Sequence, residues 1–310
     1  MKTILCSIDL SAFSPAVLRY GAGFARRFGA RLAVFHAVYS ADDQLHPTPL
    51  FERGGGRGER GAAALAVIHT LMKDLPVAWD PFVRGGEPVE ALNRAVGESR
   101  ADMVIAASHG LGGLRRLLLG RVVERMVRTA TQPLLVLRGE GALAPGGGEA
   151  ATVALRSVLV GCGTDSGDRT PLAWGTRIAN GFGGALSVLH AMEAPEPEDA
   201  PDSFEGSYAE LENDRQQRLR ERLRARLPHP SAGCRSVDIL LAQGPPAEAL
   251  MAQAARQATD LLVVGVRRQS GIRRVVVGST TEAALRHSPC PVLVVPEPGP
   301  ARGVRRAGLE

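Results

Sequence analysis

The sequence has few lysines and few aromatic residues, and both scarcities bear on its partners. Only Lys2 and Lys73 are lysines, so arginine supplies 35 of the 37 basic residues, and the net charge is a modest +5. Aromatic residues make up 4% of the chain, which leaves little surface on which nucleic-acid bases could stack. We therefore expect no nucleic-acid partner.

The sequence also lacks the signals of metal binding, membrane insertion and secretion. The four cysteines show no C-x-x-C motif and no metal-site spacing: Cys6, Cys162, Cys234 and Cys290. No apolar run reaches the roughly 18 residues of a transmembrane helix, and the short apolar start is broken by Asp9, unlike a signal peptide. We expect a cytoplasmic protein with no metal site and no membrane contact.

One pattern occurs twice in the chain. Residues 101–137 and 259–295 each read as an apolar strand, a loop rich in Gly and Arg, a helix and an apolar strand after proline. An offset of 158 residues relates them and places Asp102 on Asp260 and Gly120 on Gly278. An offset of 154 relates the segments before them and places His36 on His190. The chain therefore contains an internal duplication.

The duplication and the length indicate two α/β domains. The chain of 310 residues is about twice a typical domain, and strands alternate with helices, which favours parallel sheets covered on both faces. We predict a first domain at 1–138, a Gly/Ala-rich linker at 139–154, a second domain at 155–297 and a disordered tail at 298–310. Pro81 predicts that its strand lies at a sheet edge.

Four short motifs together resemble the universal stress protein family. They are a strand followed by Asp9-x-Ser11, Ala-Asp at 101–102 before an apolar strand, Ser-His-Gly at 108–110, and Pro-x-Leu-Val-Leu at 133–137. The chain resembles a tandem protein with two such domains. The resemblance implies an adenine nucleotide alpha hydrolase-like fold: two doubly wound five-stranded parallel sheets of order 3-2-1-4-5, joined through their last strands as an intramolecular pseudo-dimer. It leaves further pairing into a homodimer open.

Nucleotide-binding members of this family carry Gly-x-x-Gly, nine residues, and then Gly-Ser or Gly-Thr. Glycines let backbone N–H groups approach a phosphate closely, and the hydroxyl adds a donor at a helix N-terminus. The first copy keeps Gly110 and Gly120 but has Ala107 in place of the first glycine and Arg121 in place of the hydroxyl. The second copy keeps Ser279 but has Arg268 where the central glycine belongs. Each copy therefore departs from the pattern at a different point.

The nucleoside end differs between the copies as well. Family members that bind ATP use an aspartate after the first strand and a backbone group after the second, which correspond to Asp9 and Val38. The offset of 154 places Gly163 on Asp9, with Asp165 two residues further on. The resemblance thus implies these nucleotide-site residues in the first domain: Asp9, Ser11, Val38, Ala107, Gly110, Gly113, Gly120, Arg121 and Val122. In the second domain it implies a degenerate site: Gly163, Gly265, Arg268, Gly278, Ser279 and Thr280.

Several side chains near these loops admit two interpretations. Arg121 has a functional interpretation, in which it binds phosphate in place of the missing hydroxyl, and a structural one, in which it faces solvent or fills the pocket. Arg268 either obstructs its pocket or covers a smaller anion. The arginine pairs 115/116 and 273/274 are pocket edges or a polar loop face, and His109 sits in the first loop. We expect His36 and His190 to be core histidines.

The sequence favours a stress-response binding module over an enzyme. ATP, with or without Mg²⁺, is the implied ligand of the first domain, and the alternative is a nucleotide-free protein-interaction scaffold in which both pockets have decayed. Neither loop offers the carboxylate cluster that phosphoryl transfer with Mg²⁺ uses, and the motif GxxxxGK[ST] is absent. We assign no catalytic residue and expect slow ATP hydrolysis at most.

Overall fold

Strands and helices alternate along the computed structural model, which describes residues 1–38, 57–108, 120–138, 153–163, 169–192, 208–228, 233–268 and 275–297. The strands are β1 Thr3–Ser7, β2 Arg31–Val38, β3 Trp79–Gly85, β4 Met103–Ala107, β5 Leu134–Leu137, β6 Ser157–Gly161, β7 Ala185–Met192, β8 Val237–Gln243, β9 Leu261–Arg268, β10 Val275–Val276 and β11 Val292–Pro296. The helices are α1 Ser14–Phe28, α2 Arg57–Met72, α3 Pro88–Ser99, α4 Arg121–Thr129, α5 Arg169–Phe182, α6 Tyr208–Arg226, α7 Pro246–Arg256 and α8 Ser279–His287. Most of the predicted linker and the whole predicted tail lie outside the described residues.

The strands form one continuous sheet that contains both halves of the chain. Its order is β3-β2-β1-β4-β5-β11-β9-β6-β7-β8, so each half has the order 3-2-1-4-5 within itself. Neighbouring strands of this order are parallel within each half, whereas β5 and β11 pair antiparallel, with Leu135 opposite Leu293. The predicted fold class, strand order and joining through the last strands are confirmed, and Pro81 does lie in an edge strand. The short β10, which pairs antiparallel with β9, was not predicted.

The antiparallel pairing of β5 with β11 places the two predicted ligand sites at opposite ends of the strands. The parallel strands of one half all have their carboxyl ends on the same side of the sheet, and the strand direction reverses between β5 and β11, so the carboxyl ends of the other half lie on the opposite side. Ligands of doubly wound sheets bind at the carboxyl ends of the strands. The two sites therefore face away from each other and do not share an opening.

Two apolar layers cover the sheet, and each layer runs through both halves. Leu135 and Leu293 contribute to one layer, and Val136 and Val294 contribute to the other, because successive side chains of a strand point to opposite faces. Residues of α1, α2, α5 and α6 pack in the first layer, and residues of α3, α4, α7 and α8 pack in the second. The two halves thus share their hydrophobic core.

Two glycines at matching positions allow α1 and α5 to lie close to the central strand of each half. A Cβ atom at Gly21 would lie 2.2 Å from the Sγ atom of Cys6, and one at Gly175 would lie 2.3 Å from a Cγ atom of Val160. The offset of 154 relates both glycines and both of their neighbours. The close approach of the helix to the sheet is therefore a duplicated feature, and it requires a residue without Cβ.

The repeated aspartates Asp102 and Asp260 connect the first strand of each half to the fourth. Asp102 accepts hydrogen bonds from the backbone N–H groups of Lys2 and Thr3, and Asp260 accepts them from Arg156 and Ser157, at 2.6 and 2.9 Å. Partial burial by itself would raise the pKa of Asp102, but the two backbone hydrogen bonds and the positive charges of the N-terminus and Arg177 together outweigh it, so the pKa lies below its ordinary value. The repeated acid is thus a structural connection at the amino ends of the strands, away from the ligand sites.

Candidate functional site

In the first half, Asp9 lies directly after β1 in a short turn that leads into α1. One oxygen of its carboxylate accepts hydrogen bonds from the backbone N–H of Ser11, at 3.0 Å, and from the hydroxyl of Ser14, at 3.3 Å. Leu10, which lies between Asp9 and Ser11, has a φ of +60°, a left-handed conformation that turns the chain sharply at this point. Ser11 in turn accepts a hydrogen bond from the N–H of Phe13, at 3.2 Å. The turn fixes the orientation of Asp9.

The two ends of the first-half loop that is predicted to bind phosphate lie next to each other. Ser108, which follows Ala107 at the end of β4, is fully buried, and its carbonyl accepts a hydrogen bond from the N–H of Gly120, at 3.2 Å. A Cβ atom at Gly120 would lie 3.2 Å from that carbonyl oxygen, so glycine suits this position. Gly120 is the N-cap of α4. Both ends of this loop therefore lie next to the N-terminus of α4, and a helix N-terminus favours the binding of anions.

The other predicted residues of the first half occupy different surroundings. Arg121 is exposed in the first turn of α4, Val122 is half-buried, and Val38 is buried at the end of β2, where its carbonyl accepts the N–H of Gly86. Gly110, Gly113, His109 and the arginine pair 115/116 lie outside the described residues, as do Asp165 and the pair 273/274. The structure therefore places the rim of the first-half site and not the loop itself.

A histidine near the end of the second strand of each half occupies the same place. The Nδ1 atom of His36 lies 3.0 Å from the carbonyl oxygen of Ile8, and that of His190 lies 2.9 Å from the carbonyl oxygen of Cys162. Burial lowers the pKa of His36, although the carbonyl of Ile8 and the charge of Asp9 act in the opposite direction. His36 is a core histidine, as expected, whereas His190 is half-buried and lines a cavity.

That cavity lies in the second half, at the carboxyl ends of β6, β7 and β9, and has a volume of about 420 Å³. Five of the six residues predicted for the second site line it: Gly163, Gly265, Gly278, Ser279 and Thr280. The sixth, Arg268, is the last residue of β9, and its side chain lies outside the described residues. The motif residues, which are far apart in the sequence, thus come together around one space.

One side of the cavity is the N-terminus of α8. Gly278 is the N-cap of this helix and no side chain caps it, so the hydroxyls of Ser279 and Thr280 and the first N–H groups lie at the cavity wall. The hydroxyl of Thr281 instead donates to the carbonyl of Gly265, at 3.0 Å, and holds the helix against β9. Arg267 also lines the cavity. This side carries hydrogen-bond donors and a positive end of a helix dipole.

The rest of the cavity lining is largely apolar. It includes Leu189, Leu250, Val264 and Val266. A Cβ atom at Gly161 would lie 2.8 Å from a Cδ atom of Leu250. The sequence motifs did not point to His190, Leu250 or Arg267, because each comes from a different element and only the fold brings it to this space. For His190 and Arg267, a position near the end of a strand was the available signal.

Among the residues described as lining the cavity, none is acidic. Within the described part of the chain, no three His, Cys, Asp or Glu residues come together in a way that could hold a metal ion. In the same residues, no helix combines the length and the apolar character needed to cross a membrane. The described lining of the cavity thus consists of hydrogen-bond donors and apolar side chains.

The sequence model of the universal stress protein family matches residues 1–138 and 154–296. The chain belongs to the universal stress protein family. It is 26% identical over 300 residues to a universal stress protein of Mycobacterium tuberculosis, covering 94% of this chain and 96% of that protein. A Thermus aquaticus universal stress protein is 32% identical over 137 residues, 44% of this chain and 98% of the relative.

Solved structures of universal stress proteins share this fold. The crystal structure of such a protein from Archaeoglobus fulgidus aligns with 96% of this chain and 98% of its own, with a TM-score of 0.64 and 20% identity. The alignment therefore extends over both halves of this tandem universal stress protein. Membership of the family implies a role in the response to stress.

Proposed function

We propose that this universal stress protein acts in the stress response by binding an adenine nucleotide. The observation that supports this most is the second-half cavity, whose lining combines a helix N-terminus with apolar side chains. Its volume of about 420 Å³ is in the range of roughly 300 to 1,000 Å³ that is usual for small-molecule sites. A ligand with a phosphate at one end and a flat, weakly polar ring at the other fits these walls.

In the second half, the phosphate end would bind at the start of α8. Backbone N–H groups, the hydroxyls of Ser279 and Thr280 and the guanidinium of Arg267 are donors suited to an anion. The ring would lie against Leu189 and Leu250. The sequence pattern had assigned this half only part of a nucleotide site, and the cavity favours a larger role for it.

In the first half, the proposed ligand is ATP, with or without Mg²⁺, and the proposed nucleoside contact is Asp9. The turn after β1 uses one carboxylate oxygen of Asp9 for two hydrogen bonds and holds the side chain in place. The second oxygen is then the acceptor available for a hydroxyl or amino group of the ligand. Gly120 and Arg121 at the start of α4 would meet the phosphates.

Calorimetric titration of the full chain with ATP, with and without Mg²⁺, tests these proposals. Residues 121 and 279 correspond at the offset of 158, so Arg121→Glu and Ser279→Glu place the same carboxylate at the first turn of each helix. An acidic residue stabilises a helix N-terminus, so the fold should persist, while the added charge repels phosphate. We expect each variant to weaken binding in its own half by about ten- to a hundredfold, from roughly 1–3 kcal/mol of repulsion.

Arg121→Gln and Ser279→Gln are the matched controls, since glutamine has the size of glutamate without its charge, so that the comparison of Glu with Gln at each position isolates the added negative charge. Asp9→Ala should remove binding in the first half alone. If Ser279→Glu leaves the titration unchanged, the second cavity is not a nucleotide site. If the unmodified protein gives neither heat nor a thermal shift at millimolar ATP, both pockets have decayed, and the protein-interaction scaffold becomes the better description.

A further inference from the structure

Arg138, the residue that follows β5 in the first half, reaches the far end of a helix in the second half. Its side chain is buried, and its two terminal nitrogens donate hydrogen bonds to the carbonyl oxygens of Leu285 and Arg286. Both carbonyls belong to the last turn of α8. The planar guanidinium can serve two acceptors at once, which an ammonium group does less well.

This contact satisfies a requirement of α8 itself. The last carbonyls of a helix have no partner within the helix, and the C-terminus carries a partial negative charge. Arg138 supplies two donors and a positive charge there. Because α8 has nine residues, its other end lies only about 13 Å away, and that end forms the donor wall of the cavity. A guanidinium at one end and a bound anion at the other would stabilise the same helix dipole.

A second wall of the cavity also depends on the first half. Val276, in β10, lines the cavity, and β10 lies next to α4 of the first half. β10 pairs with the end of β9, so it connects α4 to the strand that carries Gly265. The cavity is therefore bounded by two elements, α8 and β10, that both contact first-half residues.

The arrangement is not repeated in the other direction. The offset of 158 places Pro296 on Arg138, and proline has neither a side-chain donor nor a backbone N–H.

On the first-half side, the carbonyl of Leu137, just before Arg138, accepts the N–H of Ser108 at the start of the phosphate loop. A continuous set of contacts thus runs from the first-half loop to the second-half cavity.

We propose that Arg138 is a positioning residue for the second-half anion site: by holding the C-terminus of α8, it directs the N-terminus of that helix into the cavity. The affinity of the second half for a phosphate-bearing ligand therefore depends on a residue of the first half. This inference rests on the proposed function of the cavity. It assigns Arg138 no contact with the ligand.

Titration with pyrophosphate tests it, in full-length protein that carries Arg121→Glu so that phosphate binding in the first half is suppressed. We expect Arg138→Gln to raise the Kd for pyrophosphate about tenfold. Arg138→Lys keeps the positive charge but loses the planar pair of donors, and we expect it to raise the Kd about threefold. Met72→Ala is the control: Met72 is buried in α2, far from α8 in the fold, so its loss lowers stability and should leave the Kd unchanged.

The outcomes separate this inference from the proposed function. If the Arg121→Glu parent does not bind pyrophosphate, or binds it equally well with Ser279→Glu, the cavity is not an anion site. A second outcome is that the parent binds pyrophosphate and that Ser279→Glu abolishes this binding, while Arg138→Gln keeps a Kd within twofold of the parent. The role of Arg138 is then overturned, and the assignment of the cavity as an anion site stands. Should Arg138→Gln unfold too readily for titration, Arg138→Lys carries the test, and a Kd within twofold of the parent overturns it.

Discussion

The two halves of this universal stress protein share a strand order and differ where ligands would bind. Asp9 of the first half corresponds to Gly163 of the second, and the exposed Arg121 corresponds to Ser279 at the cavity wall. The residues that hold strands and helices together are, by contrast, largely matched. One fold can therefore carry two different sites, because positions at the strand ends can change without disturbing the core.

The matched positions show what the fold requires of each half. Asp102 and Asp260 accept equivalent backbone hydrogen bonds, and Gly21 and Gly175 allow equivalent close contacts. These pairs make the comparison testable, because the same substitution can be made twice in one molecule. A pair that behaves alike supports a common structural role, and a pair that differs identifies the neighbour that causes the difference.

The largest effect is expected at the helix glycines, and it should be larger in the second half. Gly175→Ala would bring a Cβ atom against Val160, whose branched side chain cannot rotate freely, whereas Gly21→Ala meets the more adaptable Cys6. We expect Gly175→Ala to cost about 2–3 kcal/mol and Gly21→Ala about 1–2 kcal/mol of unfolding free energy, because overpacking outweighs the roughly 1 kcal/mol that alanine gains in a helix.

Urea unfolding of the single variants measures these costs, and Val160→Ala in the Gly175→Ala background should recover part of the loss. Gly97→Ala, in α3, is the control: nothing lies within 4 Å of its Cβ position, so the variant should be stabilised by roughly 0.5–1 kcal/mol. Equal, negligible costs at both helix glycines would show that the helix-to-sheet distance adjusts easily.

The next effect concerns the aspartates at the amino ends of β4 and β9. Asp102→Ala and Asp260→Ala each leave two backbone N–H groups without their acceptor, so we expect a loss of about 1–3 kcal/mol in each case. Thermal denaturation of the two variants side by side measures the loss. A cost confined to one variant would mean that the two halves do not use the repeated acid alike.

Asp102 should also give stability a dependence on pH. Its folded-state pKa lies below the ordinary value of 3.8, so its contribution is fully present above that value and is lost as the pH falls through the folded pKa. The difference in thermal midpoint between the unmodified protein and Asp102→Asn should therefore be constant near neutral pH and shrink below about pH 4. A difference that does not change down to about pH 2 would contradict the assignment.

The sequence allowed much of the fold to be predicted and less of the site. The edge position of β3 followed from Pro81, and the sheet order followed from the family resemblance, since the first depends on one local residue and the second on motifs that the chain carries. The contact of Arg138 with α8 and the place of Leu250 in the cavity could not be predicted. Each joins residues far apart in the chain, and side chains alone do not reveal which elements the fold will bring together.

The smallest expected effect comes from another matched pair, the residues that end α3 and α7. Arg100 and Ala258 are exposed and have φ values of +51° and +46°, a region that favours glycine. Substitution by glycine should relieve about 1–2 kcal/mol of backbone strain and cost about 0.5–1 kcal/mol in unfolded-state entropy, so strain relief wins. We expect Arg100→Gly and Ala258→Gly each to raise the unfolding free energy by about 0.5–1 kcal/mol in urea. Loss of stability in either would show that its side chain makes a contact worth more than the strain.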